Sequence, residues 1–442
     1  MKTITGVYMD YEKIVDGIKG LFDSYELFFM KERTRRYESR DLDIYNVELR
    51  EEEGVALRGI KENRMVFSYS YDRGEKALES LLDNSRQLLP FLDEDMDYGF
   101  PEPASSYPVL DTYDREGIGL SDSIKKDMVI KLEDIMKSFD RRIVAVRGCE
   151  LQEAEIEVMI INSRGVSVEA RKTTYVITGM GIAKDEDEVS WYDWRWSNFL
   201  RDMDLKGFGN EVAEKAVSFL GGTQIETGIY NGIIKPQAAS DIMSILSGSF
   251  LAENLYKGKT WLKDKIGKRC LSQCLNITDS GTMGIEAFPF DAEGFPTQVN
   301  KVIIDGVFET FLYDTYYGRK YRKPSTGNSI RSGLKDPPRC GARGIYIEKG
   351  LMDITKDLLD TGIVIEELIG THTANPITGE FSVGAIGYLY KNRAMSPFKE
   401  VIFSGNIFEL LNNVTAVGND LRFYGNCGSP SLFIEGMKIS GR

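Results

Sequence analysis

Beyond about Cys270 the chain is a succession of short apolar runs punctuated by Gly, Asp and Asn, and no other feature limits its fold as strongly. The runs fall at 301–304, 307–312, 344–348, 362–369, 384–391 and 399–403, with Asp305-Gly306 between the first two. Runs of this length bounded by turn residues read as strands, and Asp-Gly supplies the two positive-φ positions of a tight hairpin turn. The spacing predicts a C-terminal half that is mainly β.

The N-terminal half mixes two periods. Helical spacing occurs at 11–24 (Ile14, Val15, Ile18, Leu21, Phe22), at 74–89 (Ala77, Leu78, Leu81, Leu82, Leu88) and at 126–139. Strand-like runs occupy 25–30, 42–49, 54–60 and 65–71, and later 143–146, 155–162, 166–177 and 180–184. The stretch 91–121, rich in Asp, Glu, Pro, Gly and Tyr, reads as a surface connection. Asn210 is the expected N-cap of a helix carrying Val212, Ala213, Ala216, Val217 and Leu220, stopped by Gly221-Gly222. A strand at 227–234 precedes a helix that Pro236 opens and that runs to about Tyr256. The expected class is α+β. Antiparallel sheets with covering helices fill an N-terminal domain, 1–222, itself divisible at about 1–91 and 122–222, and a mainly-β domain fills 223–442.

Composition sets limits on function. Hydrophobic residues are 42% and aromatics 11% of 442 residues, ordinary for a chain with a packed interior. A net charge of −13, with no clear basic patch, argues against direct contact with nucleic acid or an anionic membrane. The five cysteines are an odd number spread thinly, which reads as reduced thiols. No leader pattern opens the chain and no uncharged apolar run reaches about 18 residues, so a cytoplasmic location and no membrane span are expected.

The chain has one histidine, His372, so a zinc helix with two imidazoles one turn apart cannot be written. Phosphate-binding loops, a dinucleotide fingerprint and a Gly-x-Ser-x-Gly elbow are also missing from the sequence. Other candidates remain, each with a plain structural alternative. Cys270 and Cys274 are two soft ligands where zinc wants four, and otherwise inert thiols. Cys427 and His372 form a nucleophile–base pair only if the fold joins two distant loops. Asp291 and Glu293 in one Gly- and Pro-bounded loop could do acid–base work or hold a hard cation, or else cap a turn. Trp191, Trp194 and Trp196 lie within six residues, as a subunit interface or as part of the core.

Five segments then form a recognisable series: Phe-Pro-Phe-Asp-Ala-Glu-Gly at 288–294, Ser-Thr-Gly-Asn-Ser at 325–329, Asn-Pro-Ile-Thr-Gly-Glu-Phe-Ser-Val-Gly-Ala-Ile-Gly-Tyr at 375–388, Val-Gly-Asn-Asp-Leu at 417–421, and Gly-Ser-Pro-Ser-Leu-Phe-Ile-Glu-Gly-Met-Lys-Ile-Ser-Gly at 428–441. In this order they closely resemble the TldD/PmbA family, whose members were labelled modulators of DNA gyrase. The resemblance implies a cytosolic, two-chain metalloprotease that trims peptides. In the TldD-like branch a helix carries His-Glu-x-x-x-His, two zinc ligands and a water-activating glutamate. The matching helix here is the one opened by Pro236, without histidine, so the chain resembles the PmbA branch, also called TldE. A TldD-like Cys-Gly-Lys is not matched, since Gly428 and Ser429 follow Cys427.

The resemblance therefore implies no catalytic or metal-binding residue and no cofactor in this chain, with zinc in a TldD-like partner. The residues it marks for a substrate groove are Asp291, Glu293, Gly294, Asn328, His372, Asn375, Gly379 and Ser382. Expected partners are peptide substrates and either a TldD-like paralogue or a second copy. Two other readings stay open, a homodimeric peptide-binding protein and an autonomous hydrolase using Cys427 with His372 or a metal at Asp291 and Glu293.

Overall fold

The computed structural model describes residues 17–442 except 73, 355–359 and 393. Of the helix expected at 11–24, residues 17–21 are helical and those before 17 lie outside the described residues.

A six-stranded antiparallel sheet, ordered β3-β2-β1-β4-β5-β6, dominates the first half. Its strands are β1 (Ser24–Arg40), β2 (Asp43–Lys61), β3 (Arg64–Ser70), β4 (Ile143–Asn162), β5 (Ser167–Lys184) and β6 (Glu188–Ser197). Several are far longer than their apolar runs. The charged stretch after Met30 continues β1, and 42–49 and 54–60 fuse into β2. Opposite charges facing across the ladder replace apolar alternation there: Arg33 with Glu51, Arg35 with Glu153 and Arg36 with Glu150. Because β1 pairs with β4, the segments 24–70 and 143–197 share one sheet.

Along β1, Leu27 and Phe29 face one side and Phe28 and Met30 the other. Both sides are covered, which explains the unbroken apolar run at 27–30. On the first side lie Ile18, Phe22 and Leu81, the last from α1 (Glu75–Leu88). Further along the same sheet α2 (Asp122–Ser138) and α3 (Leu205–Ser218) pack Val129, Leu132, Met136, Val212 and Ala216 against Tyr37, Leu151, Tyr175 and Ile177. The N-cap of α3 is Asp204, accepting from the Gly207 amide at 2.8 Å, so the expected start at Asn210 is corrected. Asp204 begins the helix because its carboxylate takes an otherwise unpaired amide one turn earlier.

Two further sheets build the second half. One is ordered β10-β9-β8-β13-β19-β18, from β8 (Ile277–Ser280), β9 (Val299–Ile304), β10 (Val307–Phe308), β13 (Ile345–Ile347), β18 (Arg422–Tyr424) and β19 (Cys427–Ser429). The β9–β10 hairpin turns at Asp305-Gly306 with φ of 48° and 76°, as expected. The other sheet is ordered β16-β15-β14-β7-β20-β17, from β7 (Gly228–Ile234), β14 (Gly362–Ile369), β15 (Glu380–Lys391), β16 (Ala394–Asn406), β17 (Val414–Val417) and β20 (Leu432–Ser440). A β16–β20 pairing closes five of these strands into a barrel. A small ladder joins β11 (Ser329–Ile330) to β12 (Arg339–Cys340).

Helix α4 (Pro236–Ser247) lies between these two sheets, with Ala238, Ala239, Ile242, Met243 and Leu246 all buried. It is shorter than expected. A single 3-10 turn at Gly248–Phe250 and extended backbone at Leu251 separate it from a short helix at Ala252–Tyr256. The Leu251 region bridges instead to Leu312, with the Leu312 amide donating to Phe250 O at 2.8 Å. Among the described residues no helix is long and apolar enough to cross a membrane.

Candidate functional site

The loop carrying Asp291 and Glu293 sits where the large sheet meets the second half. Both carboxylates are buried. Asp291 Oδ1 accepts from the amides of Glu293 (2.9 Å) and Phe295 (3.0 Å), and Oδ2 accepts from the Ser329 amide (3.2 Å). Three amides on one carboxylate describe a turn cap. Gly294, at φ 78°, completes the turn, and a Cβ there would lie 2.9 Å from Val166. Glu293 turns the other way. Its Oε1 accepts from Arg58 Nη1 at 2.9 Å and its Oε2 from the Thr315 amide at 3.0 Å.

Arg58 on β2 also donates to both oxygens of Glu26 on β1, at 3.0 and 2.5 Å. A buried Glu26–Arg58–Glu293 bridge thus ties the large sheet to the C-terminal loops. Nearby, Asp314 caps α5 (Thr315–Tyr321), accepting from the Tyr317 amide at 2.7 Å. Burial, then the Glu293 charge, raise the Asp314 carboxyl above its usual range, and the same two causes act on Asp291.

The other marked residues are placed as follows. Asn328 is fully committed, donating to Asp279 (2.7 Å) and Gly341 O (3.0 Å) and accepting from Thr326 Oγ1 (2.7 Å) and Asn300 (3.2 Å). Asn375 caps its own loop through the Ile377 and Thr378 amides. Gly379 holds φ 78° with Phe408 close beneath it. Ser382 is exposed on β15, opposite Ser404 of β16. Trp191 is only 3% exposed and stacks on Phe219 at 5.3 Å, which stacks on Tyr388 of the barrel at 4.7 Å. It is therefore an internal contact, and the interface candidates narrow to the half-buried Trp194 and Trp196.

His372 stands exposed in a 3-10 turn at Thr371–Thr373. Cys427 is buried on β19, its sulfur near Ser244 of α4 and 3.6 Å from Asn426 Oδ1, and burial pushes the thiol up to about 12. The structure does not bring the two together as a dyad, because one is sealed in the core and the other faces water. Cys270 is buried and Cys274 exposed, each hydrogen-bonding a backbone carbonyl.

Zinc can be tested against this donor set. Helix α4 carries Asp241 and Ser244 and no histidine, and Glu367 of β14 lies close enough for its carboxyl to feel Asp241. Burial raises Asp241 to about 6, and burial followed by Asp241 raises Glu367 to about 7. Two carboxyls without an imidazole or thiolate beside them are too few donors for a zinc site, which takes three or four protein ligands. Among the described residues no group of three or more His, Cys, Asp or Glu is arranged to hold a metal ion. The residues present do not fit a protease zinc.

What the loop does build is a cleft of about 690 Å³. Its floor is one face of the large sheet, in three rows of alternate residues: Phe28, Met30 and Glu32 on β1; Ala154, Ile156 and Val158 on β4; Lys172, Thr174 and Val176 on β5. Its roof carries Phe288, Phe290, Arg331 and Arg343. A concave, mainly apolar space with a few polar groups is the ordinary form of a ligand site. The sequence reading marked Asp291 in its wall but missed Lys172, Arg331 and Arg343. For Lys172 the period-two pattern of β5 was the available signal, since it puts a lysine on the row with Ala170, Thr174 and Val176. A shallow depression of about 660 Å³ elsewhere gathers Lys263, Lys265, Lys268 and Arg269 with Asp264 and Glu409 beside Trp261.

The same arrangement, a closed barrel with a buried helix joined across a cleft to a long-stranded sheet, is found in solved structures. A Thermotoga maritima protein described as a candidate modulator of a DNA gyrase is similar with a TM-score of 0.88 and 26% identity, covering 97% of this chain and 100% of that one. TldE of Thermococcus kodakarensis shares the fold with a TM-score of 0.89 at 21% identity, over 98% of this chain and 99% of that one. Residues 25–89, 116–220 and 227–441 match, in order, domain 1, the central domain and the C-terminal domain of the PmbA/TldA metallopeptidases. The chain belongs to this PmbA/TldD family. Among its relatives, the metalloprotease PmbA of Escherichia coli is 24% identical over 90% of this chain and 88% of its own length. An uncharacterised protein of Methanocaldococcus jannaschii is 29% identical over 98% of this chain and all of its own.

Proposed function

We propose that this chain is the subunit without metal in a two-chain cytosolic peptidase, with the zinc and the water-activating glutamate supplied by a TldD-like paralogue. The observation that carries the reading is α4, which is packed between two sheets and holds no histidine. The names of relatives, metalloprotease PmbA and TldE, support the peptidase assignment, and five unpaired cysteines suit a reducing compartment. The share of this chain is to hold an extended substrate, with barrel edges and the cleft offering backbone and side-chain contacts.

Reconstitution tests it. The purified chain with added zinc is expected to cleave no peptide and to retain no stoichiometric metal, and mixing it with its zinc-bearing paralogue is expected to produce cleavage that neither gives alone. Hydrolysis by the isolated chain, or a paralogue fully active without it, would overturn the proposal.

A further inference from the structure

Lys172 on the floor of the cleft and Arg343 on its roof are both buried. Lys172 Nζ donates to Ile285 O at 2.8 Å, and Arg343 Nη2 donates to the neighbouring carbonyl, Glu286 O, at 3.0 Å. Arg343 Nη1 adds a longer contact to Phe290 O, 3.3 Å. The two cations therefore stand side by side on consecutive carbonyls of one loop. Neither forms an ion pair within 4.0 Å among the described residues. Asp279 and Asp291 feel the Arg343 charge without pairing with its guanidinium: Asp279 accepts from Asn328 and the Arg343 amide, and Asp291 from three amides. Glu286 is exposed and Glu32 half-buried.

Two like charges taken out of water with only carbonyl partners are costly, and an anion between them offsets that cost. Burial lowers the Lys172 amine; the Glu286 charge and, less, that of Glu32 oppose the fall, and Arg343 adds to it. The aromatic and aliphatic floor beside them suits apolar side chains.

We infer that the cleft receives a carboxylate-bearing peptide, its carboxylate held by Lys172 and Arg343 and its apolar side chains lying over Phe288, Phe290 and Ile156. The inference rests on the peptide-handling reading above and adds to it a chemical preference, for a free C terminus or an acidic side chain.

Fluorescence anisotropy with the full-length chain and three labelled apolar decapeptides tests this: one with a free C terminus, one amidated, and one amidated with a single Glu near its end. The free acid is expected to bind at least about tenfold more tightly than the amide, the worth of one charge-assisted hydrogen bond. The Glu peptide separates the sources: binding like the free acid means that any carboxylate serves, and binding like the amide means that the terminus is required. Lys172→Met, with unchanged circular dichroism, should abolish the preference, and Lys172→Arg should keep part of it. Equal binding of acid and amide, or a preference surviving Lys172→Met, overturns the carboxylate site while leaving peptide handling intact. No binding of any peptide overturns both.

Discussion

Arg58 is held between Glu26 and Glu293 with its guanidinium buried, while Arg331 lies 3.5 Å from Glu26 and the Thr315 amide donates to Glu293. Removing the arginine leaves buried Glu293 without a cation and Glu26 with only the longer Arg331 contact. Arg58→Ala is expected to lower unfolding stability by about 3–5 kcal/mol, read from urea denaturation. Glu293→Gln keeps hydrogen-bonding capacity and should cost less. Asp241 and Glu367 give a pH prediction. Their folded values, about 6 and about 7, lie above the ordinary 3.8 and 4.5. Between about pH 4 and 7 the folded chain thus holds protons the unfolded chain has lost, and these two groups subtract stability as pH rises through that window. The fall in urea midpoint from pH 5 to pH 8 should shrink in the Asp241→Asn, Glu367→Gln double variant, and an unchanged fall would contradict the assignment. At this scale the sequence was informative where chemistry and spacing coincide, as in the Asp291 turn. It did not show Lys172 and Arg343 side by side, because only the 285–286 carbonyls bring them together.

Among the elements, the hairpins show what turn chemistry does and does not reveal. Asp305-Gly306 was legible because Gly tolerates positive φ. The β1–β2 turn was not, since Asp41 and Leu42 hold φ of 57° and 63° with no glycine. Leu42 pays for that conformation through its Cβ, so Leu42→Gly is expected to raise stability by about 1 kcal/mol, measured as a higher midpoint. The opposite case is Gly379, where φ is 78° and a Cβ would stand 2.6 Å from the Phe408 ring. Gly379→Ala should destabilise by about 1–3 kcal/mol. The long charged halves of β1 and β2 escaped the apolar periodicity because cross-strand ion pairs stabilise them in place of a buried face. The break in the helix after Ser247 escaped it because the backbone beyond Gly248 finds partners at Leu312.

In the whole molecule the two halves are joined by the buried charge bridge at one place and by the Trp191–Phe219–Tyr388 stack at another. Phe219 is 1% exposed at the centre of that stack, and Phe219→Ala is expected to cost about 3–5 kcal/mol in chemical denaturation. The α+β class and the mainly-β second half were readable from period and turn residues. The closure of the barrel was not, because it depends on the β16–β20 pairing rather than on any one segment. The central claim, a chain that completes a peptidase without holding its metal, concerns assembly. It is tested most directly by native mass spectrometry with metal analysis on the protein captured from its own cells at natural abundance. The account predicts a complex with a second chain of similar size and with zinc present only when that chain is. A metal-free homodimer, or zinc retained by this chain alone, would contradict it.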